Sequence, residues 1–152
     1  MPRAVGDSRQ AMWMCPSCER TFANRNQPHS CVRLRSLDEH FLRSAPYVKE
    51  TFDRVLGLLA GADPPVSVLP EKTRIAFHVR MSFAAFVPHK SWLDGHMILA
   101  RSLAHDRWTR VEEFSPRNVL HAFRLRTPDE VDATFAGWLL EAYEVGCQRH
   151  LT

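Results

Sequence analysis

The chain has 152 residues, 45% of them hydrophobic and 24% charged, with a formal net charge of +3. This make-up suits one soluble globular domain with a small appendage and excludes a disordered or fibrous chain. The longest apolar runs, VLGLLA and GWLL, are too short to span a bilayer, and the opening MPRAVGDSRQ has no apolar signal core. A cytoplasmic protein with reduced thiols is therefore expected.

Charge is spread unevenly. Residues 1–35 hold six basic and two acidic side chains, and residues 71–126 hold ten and five. The segments 36–65 and 127–152 are net acidic. Such asymmetry can steer an anionic partner, although solvated basic faces are also common.

The first predicted unit spans residues 12–35. Cys15 and Cys18 form a C-x2-C with Pro16 inside the bend, followed by His29 and Cys31. The set C-x2-C-x10-H-x-C supplies the four ligands of a closed structural zinc site, so zinc is the expected cofactor. The alternative is a short hairpin of reduced, unligated cysteines. Residues two apart point to opposite sides of a strand, so His29 and Cys31 can share an ion only through a turn, which Pro28 favours. Where His29 does not reach, His40 is the replacement. A base-reading C2H2 finger is excluded: Cys15, Cys18 and Phe22 match its opening, but Arg35 and Ser36 stand where a last ligand should follow Cys31, and Pro28 breaks the recognition helix. The segment reads as a zinc knuckle. Cys147 lies far along the chain and reads as a semi-buried thiol.

Residues 36–152 form the second predicted unit. SLDE at 36–39 is a capping box opening a short helix through Phe41. A helix from Pro46 buries Val48, Phe52, Val55, Leu56 and Leu59, and ends at Gly61 and DPP. From Thr73 the period changes to two: Ile75, Phe77, Val79, Met81 and Phe83 alternate with Arg74, Ala76, His78, Arg80, Ser82 and Ala84. A turn near RMS or PHK can split this run. Further strands are expected at 66–70, 92–100 and 119–126, and HDRWTRVEEF reads as a short helix or loop. TPDE at 127–130 is a second capping box, opening a helix that buries Val131, Phe135, Trp138, Leu139, Ala142 and Tyr143. Strands in a row between helices predict an α+β domain, an antiparallel sheet with helices on one face.

The motifs CPSCERTFANRNQPHSC, LDEHF, KTRIAFHVRMSFAAFVPHK, SPRNVLHAFRLRTPDEVD and LLEAYEVGCQRHL, from Trp13 to Leu151, resemble a bacterial family known as a domain of unknown function. In general plan that family is similar, more distantly, to frataxin-like iron-chaperone α+β domains. The resemblance implies a bacterial cytoplasmic protein with an α+β core and, in members with the cysteine segment, a zinc site. It implies no activity.

The alternating run places Lys72, Arg74, His78 and Arg80 opposite its apolar row. Arg124 and Arg126 alternate likewise on the last strand, with Arg117 and His121 just before them. A basic sheet face of this kind suits a phosphate, a carboxylate or a nucleic-acid backbone. The plainer alternative is a solvated face whose long side chains cover apolar surface, with His121 a hydrogen-bonded core histidine. His89, Trp92 and His96 form a loose group too common in type to mark a site. No GxGxxG, P-loop, GxSxG or HExxH occurs, and no catalytic residues stand out. Two functions are compatible with the pattern. One is a zinc-stabilised, non-catalytic binding or adaptor module for an anionic ligand or nucleic acid. The other is a small-ligand binder or enzyme with a basic pocket between sheet and helices.

Overall fold

The structure, a computed structural model, describes residues 13–16, 21–22, 24, 26 and 37–149. Near the start, β1 (Trp13–Met14) pairs antiparallel with β2 (Thr21–Phe22), Trp13 opposite Phe22. Cys15 follows β1 directly, in the link between these strands.

Leu37–Phe41 forms a 3-10 turn, where the SLDE box predicts a short helix through Phe41. Helix α1 (Pro46–Gly57) follows, with proline in its first turn. The backbone N–H of Ala45, just before it, donates to the Lys90 carbonyl at 2.8 Å and so ties the helix start to a strand turn. Val48, Phe52 and Val55, spaced by three and four residues, are fully buried on one face of the helix.

Six described strands then build one antiparallel sheet. They are β3 (Ser67–Pro70), β4 (Ile75–His78), β5 (Ser82–Pro88), β6 (Leu93–Leu99), β7 (Trp108–Ser115) and β8 (Asn118–Leu125), in the order β3-β4-β5-β6-β8-β7. A 3-10 turn (Pro128–Glu130) leads to helix α2 (Ala133–Gly146).

Both helices cover the same sheet face. Phe52 of α1 meets Phe77 and Phe86 edge-on at 5.8 Å, Phe135 of α2 meets Phe123 at 5.1 Å, and Tyr143 meets Phe83 at 5.9 Å. Gly146 lets α2 approach this closely, since a Cβ there would lie 2.3 Å from the Phe83 ring. The α+β architecture expected from the strand and helix periods is the one observed. No helix among the described residues is long and apolar enough to cross a membrane.

Three local expectations are corrected. HDRWTRVEEF is neither helix nor loop from Trp108 onward: it forms β7, the outermost strand, exposed along nearly its whole length. With no buried face, it shows no apolar alternation to read. The TPDE box is present, with Thr127 and Glu130 satisfying each other's backbone, but it caps the 3-10 turn. Asp132 caps α2 instead, accepting from the Phe135 N–H at 2.9 Å. The long alternating run is broken after His78, where the Arg80 and Met81 N–H groups both donate to the Gly146 carbonyl. A register shift between Phe77 and His78 then brings Ala84 opposite Phe77 and Phe86 opposite Ile75. Ala84 therefore joins the helix-covered face, the reverse of its place in the alternation.

Candidate functional site

The ladder registers set out the face opposite the helices in rows. Ala76, Ala85, His96, Ala122 and Arg110 are successive cross-strand partners on β4, β5, β6, β8 and β7. In the next row Val87, Asp94 and Arg124 are partners, and Arg74, one residue before β4, continues that row. His96 thus rises between two alanines. The short neighbours leave a hollow of about 270 Å³, with Arg74, Arg110, Arg124 and Asp94 around it.

The charges here are held differently. Arg124 forms a two-pronged pair with Asp94 (Nε–Oδ1 2.8 Å, Nη2–Oδ2 3.3 Å), and its guanidinium lies 4.4 Å over the Trp92 ring. His89 Nε2 approaches the same carboxylate at 3.1 Å and stacks on Trp92. Burial by itself would raise the Asp94 pKa, but the Arg124 guanidinium, the Trp92 indole and His89 hold it below the ordinary carboxylate value. Arg74 is anchored to Glu71 at 3.0 Å, while among the described residues Arg110 makes a loose 3.9 Å approach to Glu112. His96 is pushed down to about 4, first by burial and then by the charges of Arg74 and Arg110. It is a neutral imidazole at pH 7, flanked by two guanidinium groups. The arrangement offers positive charge, five-donor planar groups and one uncharged ring that can donate or accept.

Of the residues picked out from the sequence, Arg74 and Arg124 line this hollow. His78 lies on the same face but is buried, its Nδ1 3.2 Å from the Ser82 hydroxyl. Arg80 sits in the β4–β5 turn and donates to Gln148 at 3.1 Å. Lys72, Arg117 and Arg126 are exposed in or beside turns, away from the hollow's lining. His121 belongs to the helix-covered face. Its Nε2 accepts from the Leu103 N–H at 3.0 Å, so Nδ1 carries the proton and donates to the Val119 carbonyl at 3.0 Å. Burial lowers its pKa, outweighing the opposing Val119 bond. His121 is a satisfied core histidine, packed 4.9 Å from Trp108.

From the sequence, His96 is named but set aside as part of a common histidine–aromatic group, and neither Asp94 nor Arg110 is singled out. The parity of His96 and Asp94 within the expected 92–100 strand was a usable signal, since it sets both opposite Leu93, Met97 and Leu99. Arg110 had none, because its strand was unrecognised.

Among the metal candidates, Cys15 is buried against Trp13, while Cys18, His29 and Cys31 lie outside the described residues. His40 Nε2 stands 2.7 Å from the Glu71 carbonyl, which leaves only Nδ1 for any ion. No group of three or more metal-ligating side chains gathers among the described residues.

No curated protein and no solved structure matches the chain. One family model does, that of a domain of unknown function, DUF5655, over residues 37–146. That span covers the six-stranded sheet, both helices and every residue lining the hollow, and the chain belongs to the DUF5655 family.

Proposed function

We propose that this chain is a non-catalytic binding module of the bacterial cytoplasm that takes a small anionic group, a phosphate or a carboxylate, in the hollow of its open sheet face. The observation that carries the proposal is the neutral His96 set between Arg74 and Arg110 over an alanine floor. Guanidinium groups recognise such oxyanions through paired N–H donors, and a neutral imidazole adds a hydrogen bond without a competing charge. A compact anion fits better than a nucleic-acid strand. An extended backbone needs a long basic row, and His78 and Arg80, which would lengthen it, are held by Ser82 and Gln148. Residues 12–35 complete the proposed function as a zinc knuckle on Cys15, Cys18, His29 and Cys31, with His40 as the substitute ligand, beside the α+β domain of residues 36–152.

The test is an NMR titration of the His96 imidazole in the full chain, with and without inorganic phosphate. A phosphate seated between Arg74 and Arg110 raises the His96 pKa from about 4, and Arg74→Gln with Arg110→Gln removes that rise. A His96 titration indifferent to phosphate overturns the proposal. Single-stranded DNA that shifts His96 where phosphate does not favours the nucleic-acid alternative, through a binding that weakens steeply with salt.

A further inference from the structure

We propose that the outer edge of β7 is a seam between two copies of this chain, joined antiparallel so that the sheet continues from one into the other. β7 is eight residues long, stands at the end of the strand order, and is exposed from Thr109 to Ser115. Among the described residues no strand other than β8 pairs with it. An edge of this kind presents unpaired N–H and C=O groups to any strand that can match it. It also presents apolar surface: Val111 is 43% and Phe114 59% exposed.

Symmetry limits the register. A two-fold axis normal to a continuous antiparallel sheet sets residue i opposite residue j with both side chains on one face, so one residue faces its own copy and the axis passes midway between the two. Register shifts at Thr109 and Phe114 confine regular pairing to residues 110–113. An axis at Arg110 sets arginine against arginine, and one at Glu112 or at Glu113 sets glutamate against glutamate. An axis at Val111 sets Val111 against its copy and each Arg110 against the other chain's Glu112, twice. Opposite charges directly across a strand pair stabilise it and like charges destabilise it, so the sequence of β7 selects the Val111 register. Within one chain the Arg110–Glu112 approach is a loose 3.9 Å, on side chains 64% and 50% exposed, and the five donors of a guanidinium let Arg110 meet Glu112 of the second copy while it still borders the hollow. The seam is short and the dimer correspondingly weak and concentration-dependent.

Sedimentation velocity of the full chain over a wide concentration range tests this. The wild type shifts from monomer to dimer as concentration rises. Arg110→Glu and Glu112→Arg each keep the protein monomeric, because each sets like charges across the seam. The double variant R110E/E112R restores the dimer, since the swap returns opposite charges to the same places. Circular dichroism verifies that all three variants are folded, as exposed substitutions on an edge allow. A wild type that stays monomeric throughout overturns the proposal. So do single variants that dimerise like the wild type, or a double variant that does not recover.

Discussion

Asp94 and Arg124 stand directly opposite on β6 and β8, thirty residues apart in the chain, and close a two-pronged ion pair across the ladder. The pair holds Arg124 by two contacts, whereas Arg74 meets Glu71 through its Nε at 3.0 Å and Arg110 approaches Glu112 at 3.9 Å. In the proposed binding mode Arg124 is thereby a wall, and Arg74 and Arg110 are the groups that meet the ligand.

The first prediction follows from that division. Asp94→Asn removes the carboxylate charge and leaves Arg124 uncompensated. The variant binds inorganic phosphate more tightly than wild type in isothermal titration, while its melting temperature falls because a cross-strand charge pair is lost. Unchanged or weaker phosphate binding in a folded Asp94→Asn protein contradicts the assigned roles.

A second prediction concerns acid stability. In the folded protein the His96 proton affinity is depressed from 6.5 to about 4, whereas the unfolded chain keeps the ordinary value. Between those two limits the unfolded state binds a proton that the native state refuses. Stability is therefore fully present above about pH 6.5 and declines as the pH falls towards 4, by up to about 3 kcal/mol for a shift of this size. His121, depressed by its own burial, adds to the decline in the same direction. Asp94, held below its usual value, stays ionised across most of this window. Urea unfolding at a series of pH values measures the slope, and His96→Gln flattens it without abolishing it.

The start of α2 supports a third. The Asp132 carboxylate accepts from the Phe135 N–H and also receives the Arg107 guanidinium at 3.0 Å, while Arg107 reaches on to the Glu130 carbonyl. Asp132→Ala loses a helix cap and costs about 1 kcal/mol of unfolding free energy. Asp132→Asn keeps the cap oxygen and loses less. Equal losses in the two variants, measured by chemical denaturation, would show that the Arg107 charge pair rather than the cap sustains the helix start.

The proposed zinc knuckle is tested by metal content. Protein purified under reducing conditions without added metal carries about one zinc per chain, as a four-ligand closed site holds a single ion. Cys18→Ser releases the ion, and the melting transition of residues 37–146 persists, because their core is built by α1, α2 and the six-stranded sheet. A zinc-free wild type with intact thiols would falsify the knuckle.

Much of the fold was legible in the chain. Val48, Phe52 and Val55 announce the buried face of α1 by their spacing, and Phe135, Leu139 and Tyr143 do so for α2. The strands expected at 66–70, 92–100 and 119–126 appear within a residue of those limits. These elements bury one face each, and burial imprints a period of its own on the sequence. β7 buries almost nothing, so Arg110, Glu112 and Glu113 obey no apolar period, and its strand character comes only from hydrogen bonding to β8. The hollow is a tertiary object in the same sense. Arg74, His96, Arg110 and Arg124 come from four separate stretches, and none of them signals the others locally. They meet because the order β4-β5-β6-β8-β7 and its registers set alanines on either side of His96. The amino-acid sequence by itself determined which segments are helices and most of the strands, since each answers to its neighbours along the chain. Which charged groups face one another was decided only by the pairing of strands distant in sequence, where a shift of one residue moves every side chain to the other face.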